Sequence, residues 1–440
     1  MGTLAYTTGG LILLFSWLLW GDFAYSFKER SIPTIVLSQL QRFHASDTLA
    51  ALLTGALPQF LAMVLGPIVS CLSDHHRGRM GRRIPFLLAP TPIAVLSMVG
   101  LAFGPSIGHF LHQILGAHSP GLDICTLIVI GLFWGAFETA AIVVNAVYGA
   151  LINDVVPHAV IGRFYGMFRA VSLLVAIFFF YSLVGKAESH FKWLFLGLGA
   201  LYGVGFTMMC LKVKEGEYPP LPKMAGGLAE NFAGGIKVYF RECFSNPYYL
   251  LFFGVIALSW MAFTPINLFS LFFAKSINMS MEAWGKYIAL TYIISFILSY
   301  PLGALADRFH PVRMGLVTMG LYAAVALWGG LYARSAGTFA FALVAHGVLS
   351  GCWMTSTASL GQMLLPKAKF AQFASAMGLV SATGTMLVGP IVGQFLDHIH
   401  HVYRYTYLAS SGLALLAFVS FVILYTQFMK LGGPKEYAAP

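Results

Sequence analysis

Residues 73–85 read Ser73-Asp74-His75-His76-Arg77-Gly78-Arg79-Met80-Gly81-Arg82-Arg83-Ile84-Pro85, wedged between two long apolar stretches. Four arginines in so short a loop belong on the cytoplasmic side of a membrane, where positive charge is retained during insertion. A shorter echo, Gly303-Ala304-Leu305-Ala306-Asp307-Arg308 with Arg313, returns in the second half of the chain, again between apolar stretches. The two loops imply one polytopic membrane protein with two related halves.

Composition points the same way. Of 440 residues, 58% are hydrophobic and 10% charged, far from the roughly 25% charged residues of an average soluble domain, and the mean hydropathy is +0.78. The length corresponds to about three soluble domains of ~150 residues or to about twelve spans of ~20 residues with their connections. The apolar balance selects the second. A net charge of +10 does not indicate a nucleic-acid partner, because the basic residues are scattered over short loops rather than gathered in one stripe. Cys71, Cys125, Cys210, Cys243 and Cys352 lie far apart without metal-ligand spacing. They read as buried free thiols, and neither a metal nor a cofactor is expected. No basic segment precedes the first apolar stretch, which therefore reads as a retained helix rather than a cleaved signal.

The pattern predicts an all-α membrane protein with helices at 10–39, 48–72, 85–104, 122–152, 164–185, 191–212, 248–274, 283–305, 314–333, 337–364, 371–396 and 403–429. With residues 73–85 inside, both termini are inside. Sixteen lysines and arginines then fall in cytoplasmic connections and seven outside, as the positive-inside rule requires. The connection 213–247 carries Pro219, Pro220, Pro222, Gly226, Gly227, Gly234 and Gly235. That is linker composition, and it separates a six-helix half at 1–212 from a second at 248–440. Pro157-His-Ala-Val-Ile-Gly-Arg-Phe164 after the fourth helix echoes Pro366-Lys-Ala-Lys-Phe-Ala-Gln-Phe373 after the tenth. Two such halves around a central cavity are the architecture of a rocking transporter.

The loop and the order of spans resemble the major facilitator superfamily. Within it, Gly66-Pro67-Ile-Val-Ser-Cys-Leu-Ser-Asp74 followed by Arg79-Met-Gly-Arg-Arg-Ile-Pro-Phe86 is similar to sucrose:proton symporters and the wider glycoside–pentoside–hexuronide:cation symporter group. Gly21-Asp22-Phe23-Ala24 resembles the segment of melibiose permeases that carries a sugar-binding aspartate. Glu138 precedes Leu151-Ile-Asn-Asp154 at a spacing similar to that of the proton-coupling carboxylate of sucrose symporters. Pro58–Pro67 in the second helix contains no acid, where sodium-using relatives carry two aspartates, so the resemblance implies protons rather than sodium. It also implies that Asp74, Arg77, Arg79, Arg82 and Arg83, with Asp307 and Arg308, latch the two halves when the cytoplasmic gate closes. A carboxylate beside guanidinium groups and helix N-termini makes charge-assisted hydrogen bonds that separation would break.

Charged groups inside the membrane narrow the chemistry. Each costs roughly 2.5–3.5 kcal/mol at the bilayer centre and is kept there by a partner or a wet cavity. Glu138 lies at the middle of its helix with Asn145 on the same face, a placement suited to exchanging a proton, and Arg169 is its expected partner. The same pair would equally serve to fasten two helices. Asp22, Tyr25, Ser26 and Glu29 share one face by helical spacing, a stripe suited to a polyol, although Asp22 would also neutralise Lys28 or Arg30. Lys28-Glu29-Arg30 is expected near the outer surface, its long side chains snorkelling to water. In the second half, Trp260 with Asn267, and His346 with Trp353 and Thr357, form two further stripes. These offer stacking platforms and hydrogen-bonding groups for substrate, or ordinary helix packing.

The reading is a secondary transporter working by alternating access, moving a sugar or glycoside with a proton. Glu138 and Arg169 handle the proton, while Asp22, Tyr25, Ser26, Asn145, Trp260, Asn267, His346 and Trp353 contact substrate. Transport of an organic anion, nucleoside or lysolipid, and a membrane sensor with a transporter fold, are the alternatives. The absence of a nucleophile elbow, phosphate loop or metal cluster argues against an enzyme. Short loops suggest a bacterial inner membrane, and a monomer is expected.

Overall fold

A computed structural model describes residues 6–157, 159–216 and 239–440. Most of the expected linker, with its prolines and glycines, lies outside the described residues, as does His158 of the first echo. The described residues form twelve helices long and apolar enough to cross a membrane. They are α1 Thr8–Arg42, α2 Asp47–His75, α3 Ile84–Ala102, α4 Leu122–Val155, α5 Ile161–Lys186, α6 Phe191–Lys212, α7 Pro247–Ser276, α8 Met281–Phe309, α9 Pro311–Tyr332, α10 Ala336–Leu364, α11 Gln372–His398 and α12 Tyr405–Lys430. The chain divides into two compact units, Met1–Leu221 and Pro222–Pro440, holding α1–α6 and α7–α12.

Short polar residues start many of these helices. Thr7, Ser46, Asn246, Ser280 and Ser335 each accept a hydrogen bond from a first-turn amide of the helix that follows. Such a cap typically contributes about 1 kcal/mol. Proline writes a subtler signal into α2. Residues Leu52–Ala56 form a π-helical turn, in which Leu53 would receive the amide of residue 58. That residue is Pro58, which has no N–H, and the indole of Trp134 on α4 donates to the Leu53 carbonyl instead, at 2.7 Å.

With apolar lipid outside, helices associate through close packing rather than hydrophobic exclusion. Glycine makes the closest approaches. A Cβ at Gly21 would lie 2.6 Å from the Met209 side chain, and one at Gly205 would lie 3.1 Å from Ala24, so α1 and α6 meet backbone to side chain beside Asp22. In the second unit Gly329 faces Tyr407 in the same manner, joining α9 to α12. The phenylalanines that end the two echoes are equivalent anchors. Phe164 packs on Phe15 of α1 at 4.9 Å, and Phe373 packs on Tyr249 of α7 at 4.7 Å. Each ties its loop to the first helix of its own unit.

One element is added and two expectations are corrected. The connection after α3 carries a further short helix, Gly104–Leu115, started by Pro105 at a position where its missing N–H costs nothing. Cys71 is exposed while the other four cysteines are buried, because α2 turns an apolar face outward. Lys28 is not at the outer surface but three positions past the midpoint of α1, with a fully buried side chain.

Candidate functional site

The N-terminal unit gathers ionisable groups at the middle of its helices. Asp22 on α1 is fully buried. Its Oδ1 accepts a hydrogen bond from Ser26 at 3.2 Å, and its Oδ2 has no hydrogen-bond partner. The Arg30 charge acts on it from two turns along the helix, while Arg30 itself donates to Ser172 of α5 at 3.4 Å. Tyr25 stacks obliquely on Tyr148 of α4, 5.3 Å away, and the Tyr148 hydroxyl donates to the Leu18 carbonyl. The stripe drawn from helical spacing is therefore present, with Ser26 committed to Asp22.

Lys28 occupies an aromatic box. Its ammonium lies 4.6 Å from the ring centre of Tyr25, 5.4 Å from Phe137 and 5.3 Å from Tyr202, and 3.3 Å from the Glu29 carboxylate. Cation–π attraction of this kind replaces part of the lost hydration. Glu138 follows Phe137 on α4 and is buried; the charges acting on it are those of Glu29 and Lys28. Arg169, the partner expected from the sequence, lies on α5 with an exposed side chain. Asn145, two turns past Glu138, is exposed.

At the end of α2 the basic loop forms a closed network within its own unit. Arg82 grips Asp154 of α4 with two hydrogen bonds, at 2.6 and 3.0 Å, a fork geometry specific to guanidinium. Arg83, nearly buried, bonds both Asp154 and Asp74. Glu215, just past α6, accepts the backbone amides of Arg82, Arg83 and Ile84 at 3.0, 2.8 and 2.8 Å, an anion seated on the N-terminus of α3. Gly81 is required twice here. Its φ of 96° lies in the left-handed region, and a Cβ would sit 2.5 Å from the Glu215 carboxyl carbon. Arg77 curls onto the carbonyls of Asp74 and His76, and Arg79 is exposed. The second loop does not repeat the network: Asp307 and Arg308 are both exposed, and Arg313 instead donates to the Tyr425 hydroxyl at 3.1 Å.

The C-terminal unit holds a neutral network. His346 of α10 contacts Asn267 of α7 through Nε2 at 3.0 Å and Tyr322 of α9 through Nδ1 at 2.8 Å. With the Asn267 oxygen facing Nε2, that nitrogen donates; the Tyr322 hydroxyl shares its single proton between Nδ1 and the Ala262 carbonyl 3.2 Å away, and a neutral imidazole is compatible with both ring contacts. Trp353 meets Trp260 edge-on at 6.0 Å and Phe263 at 5.5 Å. Its buried indole N–H has no hydrogen-bond partner.

Sequence reasoning named His346, Asn267, Trp260 and Trp353 but not the tyrosine that completes the network. It also passed over Lys28 as a buried charge and Glu215 as an anchor. A lysine among apolar residues with two acids near it was the available signal for the first. Glu215 follows Lys212 and Lys214 and looks like an ordinary charged helix end.

Twelve apolar helices in two six-helix units, with ionisable groups at their midpoints, define a polytopic integral membrane protein. The sequence matches the Major Facilitator Superfamily model over residues 18–387, and again over 270–436, and the chain belongs to that superfamily. It is a membrane transporter rather than an enzyme, and its partners are a small-molecule substrate and the lipid bilayer. No curated protein matches it in sequence. Solved structures share its fold at low identity. A POT family transporter in complex with 5-aminolevulinic acid is 12% identical over 97% of this chain and 98% of its own, with a TM-score of 0.72. A bacterial homologue of the human lysosomal transporter Spinster, inward-facing and unoccupied, is 14% identical over 98% of each chain, at 0.67. A D-xylose–proton symporter is 13% identical over 93% of this chain and 97% of its own, also at 0.67.

Proposed function

We propose that this transporter moves a sugar or glycoside together with a proton by alternating access, within the glycoside–pentoside–hexuronide:cation symporter group. The observation that carries the reading is the pair of buried mid-helix carboxylates, Asp22 and Glu138. Holding a carboxylate in that position is costly unless it binds something. Asp22 keeps one oxygen without a partner, on a face shared with Tyr25. A carboxylate beside an aromatic ring suits a hydroxyl-rich ligand, which donates to the oxygen and lays its C–H surface on the ring. Glu138 carries the proton. The D-xylose–proton symporter shows that this fold accommodates such a cargo, but the other structural relatives carry other names, so the residues and not the fold support the sugar. Lys28 and Arg30 near Asp22 favour an organic anion as the second reading.

The arginine network of the first loop serves the cytoplasmic gate. By fixing Asp74 and the start of α3 it sets the loop in one geometry, which conformational switching would release and re-form. Both termini lie in the cytoplasm, in a bacterial inner membrane, and the monomer is the working unit. The deciding experiment is uptake by purified protein in proteoliposomes over sugars, nucleosides and organic acids, with imposed pH or sodium gradients. A pH gradient should drive accumulation of a sugar and sodium should not. Glu138→Gln should abolish accumulation while preserving exchange. Sodium-driven uptake, or normal accumulation by Glu138→Gln, defeats the proposal.

A further inference from the structure

The aromatic box around Lys28 has no role in the proton-coupled sugar reading, and it is the least expected feature of the N-terminal unit. A fully buried ammonium at the middle of a membrane helix is retained only where its surroundings replace water. Three ring faces do part of this, and Glu29 supplies the nearest counter-charge at 3.3 Å. Glu29 is 42% exposed at its side chain, whereas Glu138 is buried. Lys28 and Glu29 both act electrostatically on Glu138. Lys28 thus has a direct ion pair with Glu29, and Phe137, one wall of its aromatic box, is followed on α4 by Glu138, so an exposed and a buried carboxylate lie near one cation.

We infer that Lys28 is the positioning residue for proton coupling, holding Glu29 and Glu138 as a pair that carries a single exchangeable proton. The inference rests on the assignment of proton handling to Glu138 and adds Lys28 to its electrostatic surroundings. With one ammonium and two carboxylates, a single proton makes the triad neutral. A second is not needed, and losing the first leaves a net charge in a low-dielectric site. The proton binds at a carboxylate oxygen, entering through exposed Glu29 and resting on Glu138. The other titratable groups around the triad are Tyr25 of α1 and Tyr202 of α6, which wall Lys28, with Tyr148 of α4 behind Tyr25 and Asp22 and Arg30 elsewhere along α1. Asp22 is paired by hydrogen bond to Ser26 and by charge to Arg30, so it forms a separate set. Arg169 on α5 is exposed.

The rings give Lys28 its fixed position. Cation–π contact is weaker and less directional than a hydrogen bond, so the ammonium is held in place without being committed to one acceptor. That is what an arbiter between two carboxylates requires. A guanidinium would lock one carboxylate in a fork, as Arg82 does with Asp154.

The test needs neither substrate nor a gradient. The full chain in lipid vesicles is titrated while the C=O stretch of protonated carboxylic acids is followed by infrared spectroscopy, with Glu138→Gln identifying the relevant band. Lys28→Met should move the midpoint of that band to higher pH by about 1–3 units, the scale of a nearby opposite charge. Glu29→Gln, which leaves Lys28 paired with Glu138 alone, should move it to lower pH. Lys28→Met combined with Glu29→Gln restores the original net charge and should return the midpoint toward the starting value, which also covers poor folding of Lys28→Met alone. Single variants that shift in the same direction, or a midpoint indifferent to Glu29 or Lys28, overturn the inference. If the band behaves as stated but no pH gradient drives uptake, the triad stands and the symport reading falls. If uptake is proton-driven and the band ignores Lys28, only the triad falls.

Discussion

The N-terminal unit buries charges and the C-terminal unit buries neutral dipoles. Asp22, Lys28, Glu138 and Arg83 are all below a tenth exposed in the first unit. The corresponding buried polar groups of the second are His346, Ser410, Thr318 and their neighbours. The loops repeat the contrast: Arg82 and Arg83 are bound by Asp154 and Asp74, whereas Asp307 and Arg308 are exposed. Charge responds to protons and to changes in water access, and a neutral hydrogen-bond network mainly fixes shape. Two halves with the same helix order and the same phenylalanine anchors therefore differ in the kind of polar group they bury.

The contrast can be broken most directly at Arg83. Arg83→Met leaves Ser73, Asp74 and Asp154 without their shared cation. It should cost about 3 kcal/mol, the low end for removing one partner of a buried ion pair, because Asp74 is half exposed and Arg82 still holds Asp154. Thermal unfolding in detergent, read by tryptophan fluorescence, measures it. Next is Asp22→Ala, which should weaken substrate binding by about 1.5–3 kcal/mol, the scale of hydrogen bonds to a charged group. Asp22→Asn should cost less, since its amide keeps one acceptor. Unchanged calorimetric affinity in folded Asp22→Ala would make Asp22 purely structural. In the second unit, His346→Leu removes the partner of Asn267 and leaves Tyr322 only the Ala262 carbonyl, and should cost about 1–2 kcal/mol in stability, with no change in the pH dependence of uptake. A cost equal to that of Arg83→Met, or a shifted pH profile, would erase the distinction between the units.

The smallest effect is expected at Glu242, on the surface of the C-terminal unit. Hydrogen bonds from Lys369 and Gln372 hold its carboxyl below the usual carboxylate range. A carboxylate lowered in the folded state stabilises the protein above its unfolded pKa, and that contribution disappears as pH falls through the folded value. Glu242→Gln should therefore lower Tm slightly at neutral pH and not at all in acid, where both proteins are protonated at this position. A difference that persists in acid would point to lost packing instead.

Much of the scaffold was legible because each span carries its own signal. The expected helix 248–274 is Pro247–Ser276 in the structure, with Asn246 as its visible cap and Pro247 at its first position. The missed helix at Gly104–Leu115 was too short for a span and opened on Gly-Pro, which reads as a break. Side-chain pairing was less accessible. Asn267 and His346 were each placed on the right stripe of their helix, yet nothing local shows that the stripes meet. Lys28 was misplaced for the same reason. Its neighbours on α1 favour an interfacial lysine, and the rings of Phe137 and Tyr202 that bury it belong to helices far along the chain.

That distance bears on how the protein is made. α1 carries Asp22, Lys28, Glu29 and Arg30 within nine consecutive residues, at roughly 2.5–3.5 kcal/mol for each charge exposed to lipid. When this helix leaves the ribosome, Phe137, Glu138 and Tyr202 have not yet been synthesised. Alone in the bilayer it is a poor membrane helix. Its lowest-energy place during synthesis is against the insertion machinery or shifted toward the headgroups, and it moves to its final depth once α4 and α6 arrive. The N-terminal unit is thus assembled around a helix that has to wait for its partners.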